Sequence, residues 1–301
     1  MVEQEQPKIH DYAVIGDGRS AALVSNRGSI DWLCWPRFDR ASIFAAILDP
    51  IIGGRWSIRP AEHAQTTRRY IDNTNVLETE FATASGKIVL TDLMPVTSEE
   101  PKKQRLGPEH ELIRWVKCEQ GEVQLIVDFN PRLDYGRVAP EIKDSGKLGW
   151  RIYSGTYVFT FRSDIELGRS SAGGLSARVA LKAGETAAFS FTFSTEGPAV
   201  IPPLGDLVAK KLELTTDWWQ RWAAQGNYDG PYQRQVIRSA LVLKLLSYAP
   251  SGAIIAAPTT SLPEHIGGDL NWDYRFAWLR DAAFTVRALF GLAIKMTPTH
   301  S

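Results

Sequence analysis

What the sequence has little of narrows it first. There are 2 Cys among 301 residues, Cys34 and Cys118, far apart and outside any metal-ligand spacing. They read as buried free thiols of a cytoplasmic protein, with a disulfide as the minority alternative. Net charge is missing too. Lys plus Arg and Asp plus Glu number 34 each, so neither nucleic acid nor an anionic membrane is offered an electrostatic footprint. Apolar runs stay well short of the roughly 18 residues of a membrane span, and Ser239 to Leu246 is interrupted by Lys244. The polar, acidic start from Met1 to Pro7 lacks the regions of a secretory leader. These absences point away from membrane, secreted and nucleic-acid-binding classes, and no metal or cofactor is expected.

What is there is tryptophan, 10 in all, and a hydrophobic fraction of 44% in a chain long enough for two domains with a sizeable core. From about Tyr12 to Thr195 short apolar runs alternate with turn residues. Tyr12 to Ile15, Ala21 to Val24 and Ile30 to Leu33 are separated by Gly16-Asp17-Gly18 and Asn26-Arg27-Gly28. The texture continues at Arg55 to Ile58, Val76 to Thr83 and Ile88 to Leu93. It resumes at Glu111 to Cys118, Val123 to Phe129, Trp150 to Tyr153, Tyr157 to Arg162, Leu175 to Leu181 and Ala187 to Ser194. Many short strands with little helical periodicity predict a large antiparallel β-sandwich over residues 1–200. A short helix is expected around Ser42 to Leu48, and Thr97 to Pro108, with Lys102, Lys103 and Arg105, reads as a solvated loop. No helix follows Gly16-Asp17-Gly18-Arg19, which makes it a hairpin turn rather than a phosphate loop.

At Pro198 to Gly205 the composition shifts, marking a boundary. Asp206 looks like the N-cap of a helix reaching about Gln225, whose Leu214, Trp218 and Trp222, with Val208, Leu212 and Trp219, face the sandwich; residues 201–228 are thus a linker with a helix. Pro231 is placed for the first position of a helix running on to Tyr248. A long loop, Ala253 to Trp278, leads to a helix over about Leu279 to Ile294 that is apolar nearly all round and reads as interior. The loop ends in Gly267-Gly268-Asp269-Leu270-Asn271-Trp272-Asp273-Tyr274-Arg275-Phe276-Ala277-Trp278-Leu279-Arg280-Asp281. Aromatic faces cover the apolar faces of sugar rings, while arginine and carboxylate forks grip hydroxyls directionally. The stretch suits a pocket for a neutral, hydroxyl-rich ligand, and it equally suits an aromatic plug closing the end of a core.

The run Asn271 to Thr285 resembles the signature of bacterial glycoside hydrolase family 15, the glucoamylase and trehalase-like enzymes. Ala256 to Glu264 with Ile266-Gly267-Gly268 is similar to the same family, and Ile15 to Arg19 with Gly28 to Asp39 resembles its N-terminal, trehalase-like domain. The resemblance implies an antiparallel supersandwich, a linker helix and the first helices of an incomplete (α/α)6 barrel over residues 229–301. It implies an inverting α-glucosidase acting on trehalose or malto-oligosaccharides, in which one Glu protonates the leaving oxygen and another activates water. Both glutamates match nothing before Ser301, so no catalytic residue is assigned and the chain alone is expected to be inactive. Glu264, Asp269, Asp273 and Asp281 are the only carboxylates near the motif, and none is taken as the acid. By the same resemblance Arg280 and Asp281 grip the hydroxyls of the terminal glucose, Trp278 and Tyr274 border that sugar, and Asp273 supports them. Arg37, Phe38 and Asp39 are candidates for part of the pocket wall. The alternatives are a non-catalytic carbohydrate-binding or scaffolding protein, or one half of a split enzyme. Two helices cannot bury an all-round apolar helix, so self-association through residues 231–294, or local disorder there, is expected while the sandwich stays folded. Sedimentation at rising concentration checks this; a monodisperse monomer with strong amide protection across that hairpin is the contrary result.

Overall fold

The computed structural model describes residues 6–96, 108–193 and 204–292. The charged loop at 97–107, most of the expected boundary at 198–205 and the tail from residue 295 lie outside the described residues. The strands are β1 (Tyr12–Gly16), β2 (Ala21–Ser25), β3 (Ser29–Cys34), β4 (Ser42–Phe44) and β5 (Arg55–Pro60). Then come β6 (Gln65–Tyr70), β7 (Leu77–Ala82), β8 (Gly86–Leu93), β9 (His110–Asn130) and β10 (Glu141–Asp144). The last are β11 (Trp150–Ser154), β12 (Tyr157–Ser163), β13 (Gly168–Arg169), β14 (Leu175–Lys182) and β15 (Thr186–Phe193). Helices follow as α1 (Gly205–Ala223), α2 (Gln233–Leu245) and α3 (Leu279–Gly291). None of the described helices is long and apolar enough to cross a membrane.

All strand pairs are antiparallel, and β9 organises them. It is a single strand of 21 residues where the sequence pattern predicts two. Its first half pairs with β8 and β15, and its second half with β5 and β14. The hinge is Gly121, at φ 68, where a Cβ would meet the Ser85 carbonyl oxygen at 2.0 Å. Only glycine takes that conformation and that approach without cost. Beyond the hinge Val123, Leu125, Val127 and Phe129 alternate into the core. The two sheets close on an aromatic interior. Phe129 stacks on Phe161 at 4.1 Å, and Trp56 meets Phe161 edge-on at 5.2 Å.

A buried ion pair ties the layers. Arg114 on β9 and Asp92, its partner on β8, are both 0% exposed, with Nε to Oδ1 at 2.7 Å. Arg114 Nη1 also donates to the Trp56 carbonyl at 2.6 Å and Nη2 to the Gly28 carbonyl at 2.8 Å, across to the opposite sheet. Its guanidinium lies 5.2 Å from the Trp56 ring centroid. Each of the three guanidinium nitrogens that burial removes from water is thereby given an acceptor, which a buried charge requires.

Several local expectations are corrected. Ser42 to Leu48 is no helix: Ser42 to Phe44 pair with β3 as β4, burying Ile43 and Phe44, and a turn follows. The polar β6 escapes the alternation rule because it is an edge strand, paired only to β7. Helix α1 begins at Gly205 after Leu204, so Asp206 falls inside its first turn. Helix α2 begins at Gln233, with Tyr232 in the left-handed region at φ 60, so Pro231 stands outside it. Most consequential is α3. Only Thr285 and Leu289 are buried along it, while Leu279, Phe284 and Phe290 are 91%, 65% and 82% exposed. It is not an interior helix among the described residues, because only the Leu289 side finds neighbours, in the cluster with α1 and α2.

The helices sit on the sandwich by specific contacts. Val208 joins Val76, Leu93 and Ile113, and the Thr215 hydroxyl accepts from the Val96 amide at 3.3 Å. Lys211 pairs with the buried Glu111 carboxylate, which also accepts from the Ser190 hydroxyl at 2.7 Å. Arg238 on α2 covers the Tyr70 ring at 4.0 Å and donates to the Thr74 carbonyl at 2.6 Å, while Asn75 donates to the Leu241 carbonyl at 3.2 Å. For the ion pair between the layers, Asp92→Ala strands the Arg114 charge and is expected to cost about 3–5 kcal/mol in chemical denaturation. A loss under about 1 kcal/mol would show that the layers do not depend on it.

Candidate functional site

The loop before α3 folds back on itself as an irregular hairpin. Bridges join Ile255 to Ala277 and Thr260 to Asp273, and the Ala257 amide donates to the Tyr274 carbonyl at 2.9 Å. Trp272 is held by Ser261 through both backbone and side chain, at 2.8 Å each. This framework delivers the chain to Trp278, the extended residue ahead of α3.

Four of the expected binding residues come together there. Trp278 lies edge-on to Tyr274 at 5.4 Å and to Trp272 at 6.5 Å. The Arg280 guanidinium sits 5.9 Å from the Trp278 ring centroid. Arg280 and Asp281 occupy the first turn of α3, where an acid complements the helix N-terminus. Their own ion pair is long, Nε to Oδ2 at 3.9 Å, with side chains 71% and 42% exposed. Asp281 Oδ2 is nonetheless occluded from solvent and accepts no hydrogen bond. A carboxylate oxygen in that state is costly unless a donor is supplied. The patch thus presents aromatic edges, exposed arginine donors and a partly exposed carboxylate.

Asp273 stands one step back. Both its oxygens are taken by Arg275, Nε to Oδ1 at 2.9 Å and Nη2 to Oδ2 at 2.7 Å, and the Arg275 amide adds a bond at 3.0 Å. Its carbonyl accepts from Trp278 Nε1 at 3.4 Å. Arg37 and Asp39 pair with each other, Nη2 to Oδ2 at 2.8 Å, and the buried Phe38 meets Tyr248 edge-on at 6.3 Å. Phe38 thereby joins the cluster that includes α1 and α2. Glu264 is exposed, accepting from Trp272 Nε1 at 3.5 Å. No group of His, Cys, Asp and Glu able to hold a metal occurs among the described residues.

Behind the patch lie Arg275, which the sequence leaves equally open to a structural or a functional role, and Tyr135, which the sequence does not single out. Arg275 is 7% exposed and turned into the sandwich: Nη1 donates to the Tyr135 hydroxyl at 2.7 Å and to the Arg40 carbonyl at 3.0 Å. Its guanidinium lies 5.9 Å from the Trp32 ring, whose Nε1 donates to the Pro258 carbonyl at 2.8 Å. The ion pair and hydrogen bonds outweigh burial and hold Arg275 above its ordinary range. Cys34 is 3.5 Å away, and burial pushes its thiol up to about 12, which leaves it protonated and unreactive. Tyr135 had no signal in the sequence beyond standing between Asp134 and Gly136.

Residues 1–164 match the family described as trehalase-like, N-terminal, and residues 230–299 match glycosyl hydrolases family 15. A protein named trehalase from Thermoplasma volcanium is 36% identical over 98% of this chain and 46% of its own length. One from Mycobacterium tuberculosis is 33% identical over 96% of this chain and 44% of its own. A third, from Thermoplasma acidophilum, is 35% identical over 91% of this chain and 46% of its own. The chain spans a little under half the length of the curated relatives it matches.

Partial burial raises the Asp273 carboxyl, but the bonds and charge of Arg275 outweigh it and hold the group below the usual range. A depressed folded value means its stabilisation is complete above the ordinary aspartate pKa, about 3.9, and is lost as pH falls through the lower folded one. Hydrogen exchange across residues 255–277 is expected to stay slow to below about pH 3.9 and then rise, with Asp273→Asn removing that acid limb. Identical pH profiles in both proteins would detach the loop from this ion pair.

Proposed function

Because this chain belongs to the trehalase-like, N-terminal family and also matches glycosyl hydrolases family 15, we propose that it builds the front part of an enzyme hydrolysing the α-glucosidic bond of trehalose. In this reading residues 1–200 are the sandwich domain, 201–228 a linker with a helix, and 229–301 the opening helices of an (α/α)6 barrel. Trehalose is favoured over malto-oligosaccharides by the names of the relatives. Arg280 and Asp281 take glucose hydroxyls, Trp278 and Tyr274 border the ring, and Asp273 acts behind them by holding Arg275.

The observation that carries the reading is the Arg280–Asp281 pair in the first turn of α3, held apart at 3.9 Å with side chains 71% and 42% exposed, beside Trp278 and Tyr274. A sugar hydroxyl answers both, donating to the carboxylate and accepting from the guanidinium. The chemistry is an inverting hydrolysis in which an acid and a base lie roughly 6.5–9.5 Å apart with water between the base and the anomeric carbon. Asp273 is committed to Arg275, and no carboxylate near the loop is assigned either task. In this reading the acid and base lie outside these 301 residues.

A second reading, a sugar-binding or scaffolding protein or one half of a split enzyme, is favoured by the exposed Leu279, Val286 and Phe290 of α3, an apolar face suited to a partner, with Phe284 exposed on another side. Ligand-observed NMR and an end-point glucose assay on the purified chain test both. The first reading expects weak trehalose or glucose binding without turnover, lowered about tenfold or more by Arg280→Ala or Asp281→Ala. Turnover by the chain alone, or binding indifferent to both substitutions, would sink it. Recovery of hydrolysis only on adding a separately encoded helical chain would favour the split enzyme.

A further inference from the structure

The turn between β9 and β10 has an unusual backbone. Asp134, Tyr135 and Gly136 are consecutive in the left-handed region, at φ 50, 59 and 90. Two of them carry side chains that disfavour it, and such runs persist only where the surroundings over-determine them. Here they do. The Asp134 amide donates to the Ser42 carbonyl and the Tyr135 amide to the Ser42 hydroxyl, both at 2.9 Å, while Leu133 and Val138 bridge below. A Cβ at Gly136 would meet the Ile52 carbonyl oxygen at 2.7 Å. The outcome of this strained turn is the placement of one side chain, Tyr135, whose ring lies 6.3 Å from Trp32 and whose hydroxyl accepts from Arg275.

From Arg275 the connection runs on to the patch. Its fork fixes the Asp273 carboxylate, the Asp273 carbonyl receives Trp278 Nε1, and Trp278 leads directly into the turn holding Arg280 and Asp281. We propose that Arg275 and Tyr135 are positioning residues through which the sandwich sets the geometry of the glucose-binding patch. This rests on the reading of that patch given above. Neither residue touches the sugar; each acts by fixing where Trp278 and the start of α3 stand. The spacing of sugar-facing groups tolerates little error, since a hydroxyl bond weakens steeply with angle and distance. A role for the sandwich in ligand affinity follows, beyond its role as a stable base.

The test is trehalose titration of the 301-residue chain by ligand-observed NMR, with thermal unfolding in parallel. Tyr135→Phe removes only the hydroxyl that Arg275 uses, and Arg275→Lys keeps the charge without the fork. Each is expected to weaken binding about tenfold; the melting midpoint moves little in Tyr135→Phe and falls in Arg275→Lys, which breaks a buried ion pair. Asn75→Ala is the control for general loosening: it removes the bond to Leu241 on α2, elsewhere on the same junction, and is expected to lower the midpoint while leaving affinity alone. Affinity unchanged in Tyr135→Phe and Arg275→Lys, or lowered equally by Asn75→Ala, would overturn the positioning role while leaving the patch intact. Failure of the unsubstituted chain to bind trehalose or glucose at all would overturn the patch and the positioning role together.

Discussion

One strand has to serve two sheets, and the architecture follows from how it does so. β9 belongs to one layer up to Gln120 and to the other from Glu122, with the change of layer made at Gly121. Well before that change of layer, β9 turns the Arg114 side chain into the interior. Each of its three nitrogens finds an acceptor, in Asp92 or in the Trp56 and Gly28 carbonyls. The shared strand and the buried arginine hold the layers at one distance and one angle. The aromatic packing around Trp56, Phe129 and Phe161 then fits between them.

The same device, an arginine turned inward to carbonyls and an aromatic ring, recurs at the junction with the helical segment. Arg238 reaches from α2 to the turn after β6, and Arg275 reaches from the loop to Tyr135 and Arg40. Guanidinium suits both places because its planar fork satisfies several acceptors at once and its face lies against rings. These are directional contacts. They orient the helices rather than simply adhering them, whereas α3 keeps most of its apolar surface uncovered and contributes Leu289 to the shared cluster.

A division of labour within one short motif explains the candidate site. Arg280 and Asp281 stand exposed beside the Trp278 ring with unspent hydrogen-bonding capacity, while Asp273 and Arg275 are committed to each other and to the sandwich. Conventional reading of an aromatic- and charge-rich loop assigns all five to a ligand. Burial separates them: an arginine that is 7% exposed and shares its donors among Asp273, Tyr135 and Arg40 has none to offer a sugar.

The linear order of residues determined most strands by itself, because alternation of apolar and polar side chains is a local property of a half-buried strand. It determined as well that Trp278, Arg280 and Asp281 stand together, since they are neighbours in the chain. Tertiary structure alone decided what lay beyond local pattern. The polar edge strand β6 exists only because β7 offers it partners, and Glu119 to Glu122 looked like an end to a strand that in fact bends and continues. Helix α3 is apolar all round in sequence, yet which side is covered depends on where neighbours are. The inward turn of Arg275 could not be read either. Its partner Tyr135 lies 140 residues away, and a contact between such distant residues carries no periodicity for a pattern to detect.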